Sequence, residues 1–317
     1  MKKKPTPYLF IFLTLATACQ TARPSSEQVV SETYIHRYGV PLPEEEWTTR
    51  GKNGQVVSVR RDGVEITRNY ESGILHGESS YTFPHRSAIE KKETYEKGKL
   101  IRTIQYYSSG VPHAQHLYEE GDVERLIAWY ENGSPQGEEE YIRGKLVRGQ
   151  YFDLCYEIES EVIGGEGKRT RRDGFGLLQT IDQIQQGRMV SSTSYHSNGA
   201  PAAITPYVHR NIHGQKRTFS PGGDPVTIEQ WVENKQQGTT IVFENGAKVS
   251  DLPYVDGKKQ GVEKRYGDEG QLVQEVTWSN DQKHGPTLNY VNNTTQTIWY
   301  FQNKEVSKAA YEALCNQ

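Results

Sequence analysis

Three histidines recur at equivalent places in the chain, and regularly spaced histidines are a pattern to test for metal binding. His76, His213 and His284 each precede a glycine. Imidazole nitrogens bind zinc, copper and iron, whereas glutamine is a poor ligand for these metals but shares with histidine the capacity to donate and accept hydrogen bonds. Glutamine takes the same place in other repeats, at Gln136, Gln237 and Gln260. The pattern therefore predicts a structural hydrogen bond in a turn, with no metal site and no cofactor.

A cationic run in the middle of the chain is a second candidate site. Its charged members are Lys168, Arg169, Arg171 and Arg172. Such a run can bind the phosphate of an anionic lipid headgroup or of nucleic acid. The net charge of −3 and the export signal described below argue against nucleic acid. Glycines flank the run on both sides, so we expect a solvated turn, with anionic-lipid contact as the alternative.

Patterns that would mark an enzyme are missing. The sequence contains no Gly-x-Ser-x-Gly, His-Glu-x-x-His or Cys-x-x-Cys motif. The glycine-rich segment 164–167 lacks the Gly-Lys-Ser/Thr that completes a phosphate-binding loop. The acids Glu138, Glu139 and Glu140 are adjacent, so in a strand they point to alternate faces instead of converging on one substrate. The sequence predicts a protein that is not an enzyme.

The amino terminus has the features of a signal peptide over residues 1–18. A basic start is followed by an apolar run over 8–18, which is too short for the roughly 20 residues that span a bilayer. Leu-Ala-Thr-Ala before Cys19 resembles the lipobox of bacterial lipoproteins, with Ala16 where leucine is commonest. The resemblance implies a diacylglyceride on Cys19, which would hold the protein at the outer membrane or cell surface. Ordinary cleavage at the same bond, giving a periplasmic or secreted protein, is the alternative.

An aromatic residue returns every 11 or 12 residues through the second half of the chain. The positions are Tyr195, Tyr207, Phe219, Trp231, Phe243, Tyr254, Tyr266, Trp278 and Tyr290. A short segment rich in Gly, Asn and Asp follows each aromatic, so each unit predicts one strand and one turn. The hydrophobic fraction of 34% is too low for a deep core. The aromatics instead predict rows of rings on one face of a sheet, packed against neighbouring strands.

Glycines mark every second turn. Those of the second half are Gly214, Gly238, Gly261 and Gly285. Glycine at these points suits a positive φ or a close approach of the backbone in a hairpin turn. One full repeat is therefore two strands and two turns, about 23 residues long.

Segments 256–266 and 280–290 resemble MORN repeats in the bacterial variant form of YwqK-like proteins. The shared features are the period, the His/Gln-Gly pair and the aromatic five residues later. Glu263 and Thr287 stand where the standard repeat has a second glycine. The resemblance implies an all-β fold, an elongated single-layer antiparallel sheet of repeated hairpins that binds proteins or membranes.

The expected organisation is one repeat array with a cap at each end. Its parts are a signal peptide (1–18), a tether (19–33), an amino-terminal cap (34–50), a repeat block (51–150), an irregular segment (151–186), a second block (187–301) and a capping helix (302–317). Short helices are expected at both ends, because terminal repeats must shield the outer strand edges. One strand per repeat half gives about 22 strands. Cys155 and Cys315 are predicted to be unpaired, with Cys155 a small buried residue.

These features together predict a non-enzymatic envelope lipoprotein that presents its repeat surface to a protein partner. A glycan- or lipid-binding module, acting through the aromatic rows or the basic run, is one alternative. An antitoxin-like neutralising protein is the other, and it is implied only by relatives within the resembled family. An export signal fits that alternative poorly.

Overall fold

The described part of the chain forms one open antiparallel sheet of 29 strands with a short helix near each end of the sheet. It is seen in a computed structural model that describes residues 28–292 and 294–316. Cys19, the signal peptide and most of the expected tether lie outside the described residues. The all-β expectation of a long sheet built from repeated hairpins with capping helices is confirmed.

The first part of the sheet contains β1 (Val29–His36), β2 (Pro41–Leu42), α1 (Glu44–Thr49), β3 (Gly54–Arg60), β4 (Glu65–Glu71), β5 (Ile74–Leu75), β6 (Gly77–Thr82), β7 (Ile89–Glu96), β8 (Lys99–Tyr106), β9 (Pro112–Tyr118) and β10 (Val123–Trp129). The middle contains β11 (Pro135–Ile142), β12 (Lys145–Phe152), β13 (Ile158–Ile163), β14 (Glu166–Arg172), β15 (Leu178–Gln185), β16 (Arg188–Tyr195), β17 (Pro201–Val208), β18 (Asn211–Ile212) and β19 (Gly214–Phe219). The last part contains β20 (Pro225–Val232), β21 (Lys235–Gln236), β22 (Gly238–Glu244), β23 (Ala247–Val255), β24 (Lys258–Lys259), β25 (Gly261–Tyr266), β26 (Leu272–Ser279), β27 (Gln282–Val291), β28 (Thr294–Phe301), β29 (Lys304–Val306) and α2 (Lys308–Cys315).

Six of the strands have only two or three residues, and 23 have six or more. Four of the short ones, β5, β18, β21 and β24, are separated by one residue from the long strand that follows. The interrupting residue is the histidine or glutamine of the His/Gln-Gly pair, at His76, His213, Gln237 and Gln260. The glycine after each has a positive φ, as expected for a bulge that side chains disfavour. Four repeats thus carry a break in one strand, whereas the pairs Gln136-Gly137 and His284-Gly285 lie inside the continuous strands β11 and β27.

The two long edges of the sheet carry different connections. One, which we call the turn edge, holds mostly two-residue turns such as Glu233–Asn234, where φ is 48° and 66°. Two successive positive φ values define the hairpin turn that matches strand twist. The other, the loop edge, holds mostly five-residue loops such as 196–200, closed by a 2.8 Å bond from His196 N to Ala200 O. Successive connections alternate between the two edges because consecutive strands run in opposite directions.

The two faces of the sheet also differ. Directly opposed residues share a face, and the strand registers lead from Glu93 through Thr103, His116 and Leu126 to Glu139. Following the register further along the sheet places Glu263 on the same face as Glu93 and Glu139. We call this the inner face and the opposite one the outer face. The inner face also holds the main apolar cluster, Leu146, Tyr151, Val162 and Ile184.

The aromatic rows do not share one face, so that expectation is wrong. Trp231 and Trp278 donate from Nε1 to inner-face carboxylates, of Glu229 at 2.7 Å and Glu263 at 2.8 Å. Tyr266 and Tyr290 instead donate to outer-face acids, Asp251 and Glu275. Each aromatic stands near the end of its strand, and each repeat contains bulges that shift the alternation. Aromatics 12 residues apart therefore point to opposite faces, and those about 24 apart share one.

Both ends carry the expected helical caps. Trp47 of α1 is buried against Tyr34 and Tyr70. Ser307 caps α2 by accepting a bond from Ala310 N at 3.2 Å, and Tyr311 packs against Trp299. The helix begins only at Lys308, because 304–306 form β29. At the other end β1 begins at Val29, inside the expected tether, because its residues pair with β3.

Candidate functional site

The His/Gln positions bind the next turn along the sheet. Gln237 Oε1 accepts from Asp256 N at 2.8 Å, and Gln260 Oε1 accepts from Asn280 N at 2.9 Å. His76 accepts from the backbone N–H of the following repeat in the same way, at 3.4 Å. The predicted structural hydrogen bond is confirmed at these three positions. The predicted place in a turn is wrong, because each of these residues interrupts a strand and bonds to the turn of the next repeat. No cluster of three metal-ligating side chains occurs within 28–292 and 294–316.

The basic run lies in strand β14, so the predicted turn is wrong. Arg169 donates from Nε to Asp182 Oδ2 at 2.9 Å, and its side chain is only 12% exposed. Arg172 pairs with Glu159 on β13, and Arg171 lies 3.7 Å from Asp182. Strand alternation directs Lys168 to the opposite face from Arg169 and Arg171. The four cations therefore do not form one phosphate-binding surface, and sequence could not show this because their acidic partners lie on other strands.

Carboxylates on the inner face are held by aromatic donors. Glu93 accepts from the hydroxyls of Tyr81 at 2.8 Å and Tyr95 at 2.9 Å, and Lys91 Nζ lies 2.8 Å from it. Glu139 likewise accepts from Tyr141 at 2.7 Å and Tyr151 at 2.8 Å. Tyrosine and tryptophan side chains in several repeats thus satisfy a carboxylate on the inner face, which gives their polar groups a structural role.

The surroundings of two inner-face acids, Glu93 and Glu263, lower their pKa values. Burial alone would raise the pKa of Glu93 and Glu263. Hydrogen bonds and nearby positive charge outweigh burial, so both pKa values are below the ordinary 4.5. Burial raises the pKa of Tyr151 most, and the negative charge of Glu139 and the hydrogen bond to that acid raise it further. These carboxylates already bind protein donors, and their arrangement is a structural network.

Lysines cover several of the repeat aromatics. Lys259 Nζ lies 4.6 Å from the ring centre of Trp278, and Lys248 Nζ lies 4.7 Å from that of Tyr266. Lys216 lies at 5.4 Å from Trp231. These are cation–π distances. A sugar that stacked on these rings would first have to displace the lysines.

Several exposed apolar side chains lie close together on the loop edge in the middle of the array. We call loops 153–157 and 173–177 the apolar loop pair. Phe175 is 78% exposed and Tyr156 is 60% exposed. Leu154, Leu177 and the adjacent Ile158 are also exposed. Large apolar side chains grouped on a solvent-exposed surface are typical of an interaction site.

Both loops of the pair are held in shape by an aspartate. Asp153 Oδ1 accepts from the backbone N–H of Cys155 and Glu157, both at 2.9 Å. Asp173 Oδ1 accepts in the same way from Phe175 at 3.0 Å and Leu177 at 2.9 Å. Such bonds from a side chain to the backbone two and four residues on are typical of aspartate-led turns.

The two loops are also joined to each other and to the sheet. Arg172 Nη1 donates to Gly176 O at 2.7 Å while its guanidinium pairs with Glu159. Leu154 lies so close to Gly176 that a Cβ there would force the leucine side chain to move. Glu131 N donates to Gly174 O at 2.9 Å, which adds the preceding loop, 130–134. The apolar side chains therefore project from a fixed support.

Other loops on the same edge are polar at these positions. They read Tyr-Glu-Asn-Gly-Ser at 130–134 and His-Ser-Asn-Gly-Ala at 196–200. The apolar loop pair falls in segment 151–186, where the repeat pattern is least regular. Sequence reasoning missed these residues, although their departure from the polar loop pattern was the available signal. Cys155, expected to be buried, is exposed in the first loop because its side chain lies at the tip of that loop.

Acidic residues surround the apolar loop pair. Asp153, Glu157 and Asp173 belong to the loops themselves. Glu131 and Glu159 come from the adjoining loop and strand, and Arg172 is the cation that contacts the pair. The rim of the site is therefore negatively charged.

One repeat of the array matches a described family. The chain matches "MORN repeat variant" over residues 259–280, a segment from β24 to the turn after β26. That match supports a MORN-repeat protein and a repeat-type interaction module. No curated protein matches the chain.

Two solved structures give weak likenesses. The crystal structure of TcdB2-TccC3 matches at 11% identity and a TM-score of 0.21, over 84% of this chain and 20% of that one. A porin-like protein from Bacteroides uniformis matches at 10% identity and a TM-score of 0.12, over 77% and 89%. Neither likeness carries an argument. Within the described residues, neither helix is long and apolar enough to cross a membrane.

Proposed function

We propose that the protein is a non-enzymatic interaction module of the cell envelope, anchored through Cys19, that binds another protein with its apolar loop pair. The observation that carries this proposal is the pair itself, an exposed group of Leu, Tyr and Phe on an otherwise polar loop edge. Aromatic side chains in the centre of an interface supply much of its binding free energy.

The rigidity of the loops supports a binding role. Asp153 and Asp173 fix the backbone before any partner arrives. Ordering a loop on binding costs free energy, so a preformed loop binds more tightly. The acidic rim favours a protein that presents basic residues around an apolar contact, and it disfavours anionic lipid, which would be repelled.

The site is well separated along the array from β1, the described strand that is nearest to Cys19 in sequence. The apolar loop pair follows β12 and β14, about ten strand spacings from β1, or roughly 50 Å along the sheet. In this proposal the lipid fixes the protein at the membrane and the array carries the binding loops away from it. A glycan-binding function has less support because lysines cover the aromatic rings. No contact in the described residues favours the neutralising alternative.

A photo-cross-linking amino acid at Phe175, introduced in cells, tests the proposal. We expect one defined protein adduct that disappears when Tyr156→Ser and Leu177→Ser are added. The matched control places the same cross-linker at Ser197, which is exposed on a polar loop of the same edge. Equal adducts from both positions, or none from Phe175, would count against binding by the loop pair. Membrane fractionation of Cys19→Ala tests the anchor separately, with loss of membrane attachment as the expected result.

A further inference from the structure

The last long strand, β28, pairs with β27 along one side. Only half of its other side, which we call its outer side, is paired. The strand β29 pairs with Trp299, Tyr300 and Phe301 and extends no further. No other strand within the described residues pairs with the outer side of 294–298. This segment, Thr294-Thr295-Gln296-Thr297-Ile298, is therefore an open strand edge.

The strand register identifies which backbone groups point outward. The two-residue turn 302–303 joins β28 to β29, so Phe301 and Lys304 form a hydrogen-bonded pair, and Trp299 and Val306 form the next one. Because backbone direction alternates along a strand, the N–H and C=O groups of Thr297 and Thr295 point to the same outer side. These two residues offer four backbone groups to a further strand.

This edge lacks the features that normally block strand addition. Natural edges are protected by lysine, proline, bulges or inward charges. Segment 294–298 contains no charged residue and no proline, and the β27–β28 ladder has no register shift. Threonine and isoleucine also favour the strand conformation. The strand at the other end of the sheet, β1, differs in that it carries a charged residue, Glu32, and adjoins residues outside the described range.

We propose that a second copy of this chain pairs with the open edge, giving a dimer in which two β28 strands run antiparallel about a two-fold axis. With the axis at Gln296, Thr295 of one copy opposes Thr297 of the other. Each such pair exchanges two backbone hydrogen bonds, so the contact contains four. The sheets of the two copies then form one continuous sheet.

The chemistry of the segment argues for a second copy as the occupant. A two-fold contact requires a self-complementary surface, in which each residue tolerates its symmetry mate. Here Gln296 opposes Gln296 and threonine opposes threonine, so no like charges meet and cross-strand threonine pairs are favourable. Pairing of five residues also ends before Trp299, where the capping strand begins.

Engineered cysteines test both the contact and its register. In a full-length chain with Cys19→Ala, Cys155→Ser and Cys315→Ser, solubilised in mild detergent, Gln296→Cys should form an intermolecular disulfide under mild oxidation. The two Cα atoms would lie about 4.5 Å apart, within the range for disulfides. Thr294→Cys alone should not cross-link, because its symmetry mate lies about four residues away. A mixture of Thr294→Cys and Ile298→Cys should cross-link.

A backbone substitution gives a second readout. Thr297→Pro removes an outward N–H and leaves the ladder to β27 intact, so sedimentation should change from a dimer to a monomer. Thr297→Val, which keeps the N–H, is the matched control and should remain dimeric. A monomeric wild-type chain, or equal cross-linking by Thr294→Cys alone, would overturn the proposal. Phe175→Ser should leave the dimer unchanged, so this inference stands or fails independently of the proposed function.

Discussion

Arg169 and Asp182 stand directly opposite each other on β14 and β15, with Arg169 Nε 2.9 Å from Asp182 Oδ2. The Asp182 side chain is 4% exposed, and Glu139 on β11 lies 3.9 Å from the same guanidinium. The contact to β11 crosses two intervening strands, so the sheet is strongly curved here. The pair joins acidic and basic residues from three strands at the most buried part of the inner face.

Replacing Arg169 with methionine should strongly destabilise the fold. The change leaves Asp182 buried without its cation, and breaking a buried ion pair from one side costs about 3–5 kcal/mol. Urea denaturation followed by circular dichroism measures the loss. Arg171→Met is the control, because Arg171 is half exposed and should cost less than about 1 kcal/mol. Equal effects of the two changes would show that the Arg169 pair has no special role.

Acid should weaken the fold through carboxylates such as Glu263. Its pKa in the folded chain is below the ordinary 4.5, because bonds from Arg265 and Trp278 outweigh the effect of burial. Between those two pKa values the unfolded chain binds more protons, so stability is lost as pH falls through this window. Urea midpoints at about pH 6 and about pH 3 measure the loss.

Glu263→Gln should lower stability at about pH 6 and should show a smaller further loss on acidification, because it has no proton to gain. Glu269→Gln is the control, since Glu269 is exposed in loop 267–271. This control should keep the wild-type pH dependence. A Glu263→Gln variant with an unchanged acid profile would contradict the assignment of this acid as a stabilising group.

Alkali should weaken the fold through buried tyrosines. Burial, followed by the hydrogen bond to Glu93, raises the pKa of Tyr81 to about 12 from its ordinary 10.0. Because this pKa is raised in the folded state, Tyr81 contributes its full stabilisation below pH 10.0, and the contribution is lost as the pH rises through about 12. The difference in stability between wild type and Tyr81→Phe should therefore shrink over this range. Tyr38→Phe, at an exposed ring, should match wild type throughout.

The sequence was sufficient for the architecture because the repeat is local. The glycines with positive φ act within one hairpin, and the His/Gln side chains reach only the turn of the next repeat, so their spacing predicts strands and turns. The faces were harder to predict. A bulge shifts the alternation of side chains by one residue, and this shift placed Tyr266 and Trp278 on opposite faces. Sequence alternation alone cannot locate such bulges.

The candidate site depended on contacts between strands that are distant in sequence. Arg169 looked like a surface cation because Glu139 and Asp182 lie on other strands. The apolar loop pair was missed because Leu154 and Phe175 fall in the irregular segment 151–186, where the repeat pattern does not assign a loop position to each residue. Aspartates at the first position of each loop fix turns that place these side chains at the surface.

The stacking of repeats along the turn edge should depend on residues such as Asn234. Its φ is 66°, its Oδ1 accepts from Ile212 N at 2.8 Å, and its N–H donates to Ile212 O at 3.0 Å. Asn234→Ala removes this side-chain bond and the one from Asn234 Nδ2 to Asn211 Oδ1. Alanine also adopts a positive φ less readily than asparagine, so the change should cost about 1–3 kcal/mol. Asn234→Gly loses the same bonds but tolerates the φ, so it should cost less. Urea denaturation of both variants checks the order, and an alanine variant as stable as the glycine variant would show that this backbone conformation is not under strain.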